Sequence, residues 1–484
     1  MSEIESLAPH DVWHFFHEIT QVPRPSKKEE KIIAYLIDFA RSRGLEYRKD
    51  SIGNIVIRKA ASPGMENRPA VILQSHMDMV CEKNSDVSFN FETDPIRTRI
   101  EGGWVKATGT TLGADCGIGM AAALAVLNAD DLTHGPLECL FTVDEETGLT
   151  GAFGLGEGML TGKYLINLDS EDEGEIFIGC AGGIDTVATL NYRREEAPRN
   201  YDFFRIDIGG LCGGHSGDDI EKGRGNSNKL LARFLRQAER QVDMRLVYFD
   251  GGNLRNAIPR EAFAVFGVPS RETKRTNELF EEYRNGVRTE YGPVEPALEI
   301  TLSEMPASDT VIDLETQRAL LDALCGLPNG PLAMSPTMKG MVETSTNLAS
   351  VKFVGDLLIE ITTSQRSSIQ SARDAAAASV ESVLELAGAH VTHSDGYPGW
   401  NPDPDSRLLS IVCEAYRNLF DRTPVVRSIH AGLECGLFLQ KYPWLEMVSF
   451  GPTLRGVHSP DERLEIASVD KFWNLLKETL RTLE

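Results

Sequence analysis

"LECLFTVDEETG", residues 137–148, runs from a largely apolar segment straight into three neighbouring acids, Asp144, Glu145 and Glu146. An apolar run of this length without clear alternation predicts a strand covered on both faces, as in parallel sheets. Adjacent carboxylates repel and raise one another's pKa, so the stretch ends either in a solvated turn or beside positive charge. Taken alone, the turn is the simpler reading, since polar loop starts are ordinary. What neighbouring strands bring to the same place decides between them.

The segments around it repeat the pattern. "NIVIRK" (54–59), "AVILQSH" (70–76) and "YLINLD" (164–169) are short β-rich runs, and the Ala-rich "GIGMAAALAVLNAD" (117–130) lies between two of them with helical character. Strands of this kind alternating with helices predict an α/β domain, three layers deep, with a central mostly parallel sheet. Upstream, Ser26 and Glu29 have the spacing of a capping box before apolar positions at helical period (Ile32, Ile33, Leu36, Ile37, Ala40), and Gly44 marks a stop.

From Ile184 onward the runs alternate apolar and polar residues ("FFRIDIGG", "RLVYFDGG", "EAFAVFGVP"), with helices such as "NSNKLLARFLRQAERQV" between them. That is the pattern of half-exposed antiparallel strands, and it predicts an inserted α+β domain of ferredoxin-like type. After the Pro/Gly-rich "GYPGWNPDPDS" the helix–strand alternation returns. The expected organisation is one α/β domain, 1–183 and 397–484, interrupted by the α+β insert, 184–396.

The 484 residues, 41% hydrophobic and 25% charged, suit a globular protein with a sizeable core. A net charge of −23 speaks against nucleic acid as a partner. No apolar run approaches the roughly 20 residues that span a bilayer, so no membrane is expected, and the early acids predict no secretory leader. The eight cysteines form no CxxC pair, which suits reduced thiols in a cytoplasm.

Ligands of open α/β sheets bind beyond the carboxyl ends of the strands, and there this sequence places metal-ligand residue types. "AVILQSHMDMV" ends in His76 and Asp78, "TLGADCG" carries Asp115, "LECLFTVDEETG" supplies Glu145 and Glu146, "YLINLDSEDEG" supplies Asp169, and "VSFGPTLRGVHSPDE" delivers His458. Each alone is weak, but their convergence on separate strand ends points to metal. Two divalent ions bring four positive charges, which Asp115, Glu146, Asp169 and one hydroxide would balance. The acid pair is then tolerable because one member binds metal and the other faces a water.

"QSHMDMV", "GTTLGAD", "DEETG", "NLDSE" and "GVHSPDE" resemble the motif series of the dinuclear-zinc metallopeptidases, a family that includes aminoacylases, glutamate carboxypeptidases and dipeptidases. "LGADCGIGMAAALAVL", "GCAGGID", "GGHSG", "NAIPREAFA", "YPGW" and "IHAGLECGLF" bring it closest to the family's bacterial dipeptidases. The resemblance runs from about Trp13 to the C-terminus and implies a catalytic α/β domain with a lid that binds substrate. It implies one ion held by His76, Asp115 and Asp169 and another by Asp115, Glu146 and His458, with Asp78 steadying the His76 ring and Glu145 as general base. Zinc is the implied metal, with cobalt or manganese as substitutes.

In the lid, the resemblance makes His215 an oxyanion donor, while Asn256 and Arg366 hold the substrate's peptide oxygen and terminal carboxylate; a guanidinium fork suits a carboxylate. His430 and Glu434 are expected in the pocket without a defined role. Cys116 departs from the resemblance, standing where relatives tend to carry Asn. The implied activity is hydrolysis of small unblocked dipeptides, Xaa-His among them. The alternatives are a deacylase or carboxypeptidase on the same site, and a non-catalytic metal-binding scaffold, against which Glu145 argues because a structural site needs no spare carboxylate. A homodimer is compatible with the resemblance.

Overall fold

The computed structural model describes residues 3–355 and 357–483. The chain divides into two compact units, one of Met1–Gly179, Trp400–Ser428 and Glu434–Glu484, the other of Cys180–Gly399 and Ile429–Leu433. Among the described residues no helix is long and apolar enough to cross a membrane.

The first unit is built on an eight-stranded sheet in the order Glu46–Lys49, Ile55–Lys59, Leu137–Thr142, Val71–His76, Tyr164–Asn167, Glu446–Ser449, Glu175–Cys180, Val425–Ile429. Its centre, from Leu137–Thr142 to Glu446–Ser449, is parallel, and the pairs flanking that centre are antiparallel. Val71–His76, Leu137–Thr142 and Tyr164–Asn167 are buried at every position, including the polar ones. That is why their sequences show apolar runs rather than alternation. The helix Ala114–Asn128 is buried almost throughout, packed between the helix His10–Thr20 and the strand Val71–His76. Its Ala-rich sequence suits close approach on several sides at once.

The capping box is not formed. The helix begins at Glu30, its preceding residue Glu29 makes no side-chain cap, and the carboxylate of Glu29 instead accepts the backbone N–H groups of Lys27 and Asp144. Ser26 Oγ donates to Asp78. Each side chain has a partner distant in sequence, Asp78 for Ser26 and Asp144 for Glu29, which a local spacing rule cannot anticipate.

The second unit contains a nine-stranded antiparallel sheet. Tyr201–Gly209, helix Ser227–Glu239, Arg245–Gly251, Ala262–Pro269, helix Thr273–Tyr291 and Glu299–Met305 follow one another as βαββαβ in the spatial order 4-1-3-2, the ferredoxin-like arrangement. Gly182–Asn191, helix Leu314–Gly326, Val342–Val354, Leu358–Ser367, helix Gln370–Leu386 and His390–His393 repeat it. The first repeat is inserted after the opening strand of the second, and the two join where Gly251 pairs with Val351. Phe234, Phe249 and Phe266 lie in their common core. The sequence pattern predicts one such layer; strand alternation records burial but not which strand pairs with which, so the doubling is invisible in it.

Candidate active site

Because the central strands run parallel, their carboxyl ends open at one edge of the sheet. His76 closes Val71–His76, Glu145 and Glu146 follow Leu137–Thr142, Asp169 follows Tyr164–Asn167, and His458 lies in the loop beyond Glu446–Ser449. Asp115 stands at a non-helical kink (φ −80°, ψ 116°) where the helix Ala114–Asn128 begins. The structure gathers all six.

Asp115 is shared. Its Oδ1 lies 3.1 Å from His76 Nε2 and its Oδ2 lies 3.2 Å from His458 Nε2. His76 Nε2 also faces Asp169 Oδ1 at 3.4 Å, and His458 Nε2 faces Glu146 Oε2 at 3.0 Å. Asp169 Oδ1 and Glu146 Oε1 are buried without a hydrogen-bond donor among the described residues. Two imidazole nitrogens facing carboxylate oxygens, with one carboxylate common to both sets, form a donor arrangement suited to two divalent ions of the zinc class.

Asp78 is fully buried behind His76, its Oδ1 3.3 Å from His76 Nδ1. It accepts from the backbone N–H groups of Glu145 (3.0 Å) and Glu146 (3.3 Å) and from Ser26 Oγ (2.8 Å). It therefore orients the ring and the acid pair together, as a histidine ligand's carboxylate partner does. Burial works against its charge, but the His76 imidazole and these donors hold its pKa below the ordinary value.

The remaining titrations follow from burial and crowding. Burial, with Asp169, Glu146 and Glu434 nearby, pushes Glu145 well above the usual carboxylate range. Burial and Asp115 raise Asp169 to about 6. Hydrogen bonds to Asp115 and Glu146 raise His458 to about 11, and contacts with Asp169, Asp115 and Asp78 outweigh desolvation to raise His76. Cys116 donates to the carbonyl of Leu168, and burial beside Asp169 pushes its pKa well up, which describes a neutral buried thiol.

Beside this cluster a polar network crosses the parallel strands. Ser449 Oγ donates to Asn167, Asn167 Nδ2 to Gln74 (2.5 Å), and Gln74 Nε2 to Glu434 Oε2 (2.6 Å), which also accepts from Thr142 Oγ1 (2.8 Å). Glu434 is 1% exposed, its Oε1 has no hydrogen-bond partner among the described residues, and burial raises its pKa to about 8. It belongs to the floor of the site, below His76.

The other expected residues lie in the second unit. His215 Nδ1 accepts from the backbone N–H groups of Gly217 and Asp218 (both 3.3 Å), which assigns the proton of the neutral ring to Nε2 and leaves that atom free to donate. Asn256 is exposed, and its carbonyl accepts the N–H of Ser216. Arg366 is 7% exposed, donates through Nη1 to Tyr397 Oη (3.1 Å), and keeps a buried Nε with no hydrogen-bond partner among the described residues. His430 Nε2 lies 2.8 Å from Ser345 Oγ; burial and the Arg366 charge lower its pKa to about 4, so the ring is neutral near pH 7.

The model of peptidase family M20/M25/M40 matches residues 72–482, a span that contains every ligand candidate. The chain belongs to this family. It is 45% identical to the cytosol non-specific dipeptidase of Escherichia coli K12 over 483 residues, 100% of this chain and 99% of that one. A crystal structure of aminoacylhistidine dipeptidase from Vibrio alginolyticus superposes with a TM-score of 0.93 at 45% identity, covering 100% of this chain and 98% of the other. Aminopeptidase PepT from Bacillus cereus, 18% identical with a TM-score of 0.62, covers 98% of both chains and shares the fold.

Sequence reasoning missed several residues that hold this peptidase's site. Gln74, Thr142 and Asn167 sit inside strands whose apolar neighbours mask them, though an amide in a buried strand is itself a signal of a polar partner. Glu462, four positions after His458, reads as a solvated acid but is buried. One consequence of the raised imidazole pKa values is measurable. If His76 and His458 are metal ligands, metal uptake at neutral pH should release protons, because both imidazoles hold theirs more tightly than a free ring does. Calorimetric titration of metal-free protein in buffers of different ionisation enthalpy counts them.

Proposed function

We propose that the protein is a cytosolic dinuclear-metal dipeptidase that cleaves the peptide bond of small unblocked dipeptides, Xaa-His among them, with zinc as its metal. The observation that carries the chemistry is Glu145. It lies within 4.8 Å of His76 and Glu146 yet belongs to neither ligand set around Asp115. His76, Asp115 and Asp169 would hold one ion and Asp115, Glu146 and His458 the other. When bound, the two ions would lower the pKa of a water and polarise the scissile carbonyl.

Glu145 would take the proton of the attacking water and return it to the leaving amine. Its burial and acid neighbours favour proton uptake, and Asp78, bonded to its backbone N–H, would keep it in place. His215 Nε2–H would donate to the carbonyl oxygen as charge develops there. Asn256 would bind the peptide oxygen and Arg366 the terminal carboxylate, with the neutral His430 beside Arg366 as a further donor. A 484-residue chain that matches its dipeptidase relatives end to end supports the assignment over the deacylase and carboxypeptidase alternatives.

The test is activity on a dipeptide library after chelation and after return of zinc, cobalt or manganese. Chelation should abolish hydrolysis and added metal restore it. Activity that survives verified metal removal would refute the reading. Chelation should also lower the melting temperature, because Asp115, Glu146 and Asp169 then repel without compensation, and zinc at a hundred times its dissociation constant should restore roughly 2.7 kcal/mol. An unchanged melting curve would show that the ions add nothing to stability.

A further inference from the structure

The loop that carries the shared carboxylate is gripped by two buried charges that belong to neither ligand set. Glu462, 2% exposed, accepts the backbone N–H groups of Leu112 (2.6 Å), Gly113 (2.9 Å), Ala114 (2.7 Å) and Asp115 (3.4 Å). The carbonyl of Gly113 accepts from Arg24 Nη2. Arg24, also 2% exposed, donates through Nη1 to the carbonyls of Met77 (3.1 Å) and Asp78 (2.5 Å). One guanidinium thus ties the Asp115 loop to the segment of His76 and Asp78, while one carboxylate gathers the loop's N–H groups.

Two observations separate this from ordinary core packing. A buried cation is costly to desolvate, and an apolar side chain could fill the same volume; the Arg24 guanidinium instead directs its hydrogen bonds to the backbone of segments that carry site residues. The surrounding glycines are also fitted to it. A Cβ at Gly113 would stand 2.6 Å from Arg24 Nη2, and one at Gly117 would stand 2.7 Å from the same nitrogen.

We infer that Arg24 and Glu462 are positioning residues for the two-ion centre, setting the distance of Asp115 from His76 and from His458 and so the spacing of the two metal positions. The inference rests on the two-metal reading above. Asp115 is common to both ligand sets, and its carboxylate goes where the backbone of 112–115 goes. A rigid clamp on that backbone is what keeps a shared ligand within the few tenths of an ångström that two ions require. Ser26 and Glu29, bonded to Asp78 and to the N–H of Asp144, extend the same hold to the Glu145 segment.

The test uses full-length protein stripped of metal and titrated with cobalt(II), read by its visible absorption bands and by calorimetric affinity, alongside the melting of the metal-free form. Arg24→Lys keeps the charge but loses the planar fork whose two nitrogens bond the three carbonyls, and Gly117→Ala pushes the guanidinium aside without altering any proposed ligand. Each should weaken cobalt binding roughly ten- to hundredfold, change the cobalt spectrum, and lower kcat with little change in KM. Metal-free Gly117→Ala should melt somewhat below the parent, because the displaced guanidinium gives up buried hydrogen bonds and the helix preference of alanine over glycine offsets only part of that loss; cobalt affinity and spectrum are therefore read at a temperature where it is fully folded. The double variant should lose no more affinity than the worse single one, because both act on the same contact.

Glu462→Gln, which keeps one acceptor oxygen but sets an NH2 donor against two of the loop's N–H groups, should show a loss of the same kind and keeps the test decisive if Arg24→Lys does not fold. Wild-type cobalt affinity and spectrum in Gly117→Ala, or additive losses in the double variant, would overturn the clamp while leaving the two-metal reading intact. Binding of a single ion by the parent protein would overturn both.

Discussion

Glu145→Gln lowers kcat by about 10²–10⁴-fold while both metal ions stay bound, the expected result of removing a proton carrier from an intact ligand shell. Gln has the shape of Glu and can accept a hydrogen bond, but it cannot hold the water's proton. The neighbouring Glu146→Gln behaves differently, because Glu146 Oε2 faces His458 Nε2 at 3.0 Å and belongs to a ligand set. It should lose affinity for one ion, and its activity should recover partly at high metal concentration. Elemental analysis beside steady-state kinetics separates the two. Equal metal loss in both variants would reverse the role assigned to Glu145.

The second large effect is at His215. Its Nδ1 is occupied by two backbone N–H groups, so Nε2 carries the proton in the neutral ring. A donor aimed at charge that forms only during attack contributes to the transition state more than to substrate binding. His215→Ala should therefore reduce kcat by about 10²–10³-fold, with metal content unchanged and KM little altered. A rise in KM alone would remove the oxyanion role. Mixing His215→Ala with Glu145→Gln protein, with subunit exchange verified, reads the arrangement directly: regained activity assigns His215 to a partner's site in a homodimer, and none assigns it to its own chain.

Much of the site is legible in the sequence because its parts sit where strand physics puts them. His76, Glu145, Glu146, Asp169 and His458 all follow apolar runs, and a parallel sheet sends the ends of such runs to one edge. Asp115 is legible for another reason, as an acid at the mouth of a helix too apolar to be exposed. The groups that hold these residues are not. Arg24, between two prolines, looks like a solvated turn residue, and Ser26 with Glu29 imitates a helix cap. Their partners, Asp78, Asp144 and Gly113, are 52 to 115 residues away in sequence, and no periodicity encodes a contact across such a span.

The second unit shows the same limit. Its strands and helices are visible in the alternation of apolar and polar residues, yet the insertion of one ferredoxin-like repeat inside another depends on pairing alone. Glu434 illustrates a third case. The sequence places it in the pocket, but it bonds Gln74 and Thr142 on the floor below His76. A glutamate in "GLEC" carries no mark of burial until the strands beside it are in place.

The most direct test of the central claim is steady-state kinetics of the zinc-loaded enzyme on four matched peptides: a free dipeptide, its C-terminal amide, its N-acetyl form, and the same peptide extended by one residue. If Arg366 grips the terminal carboxylate and the acid-rich site attracts the free ammonium, the free dipeptide should be cleaved far faster than the other three. Arg366→Ala should erase the preference for the free carboxylate over the amide, at a loss of roughly 1.5–3 kcal/mol, the order of a hydrogen bond to a charged group. Efficient cleavage of the acetylated or extended peptide would contradict the account and make the protein a deacylase or carboxypeptidase built on the same two-ion site.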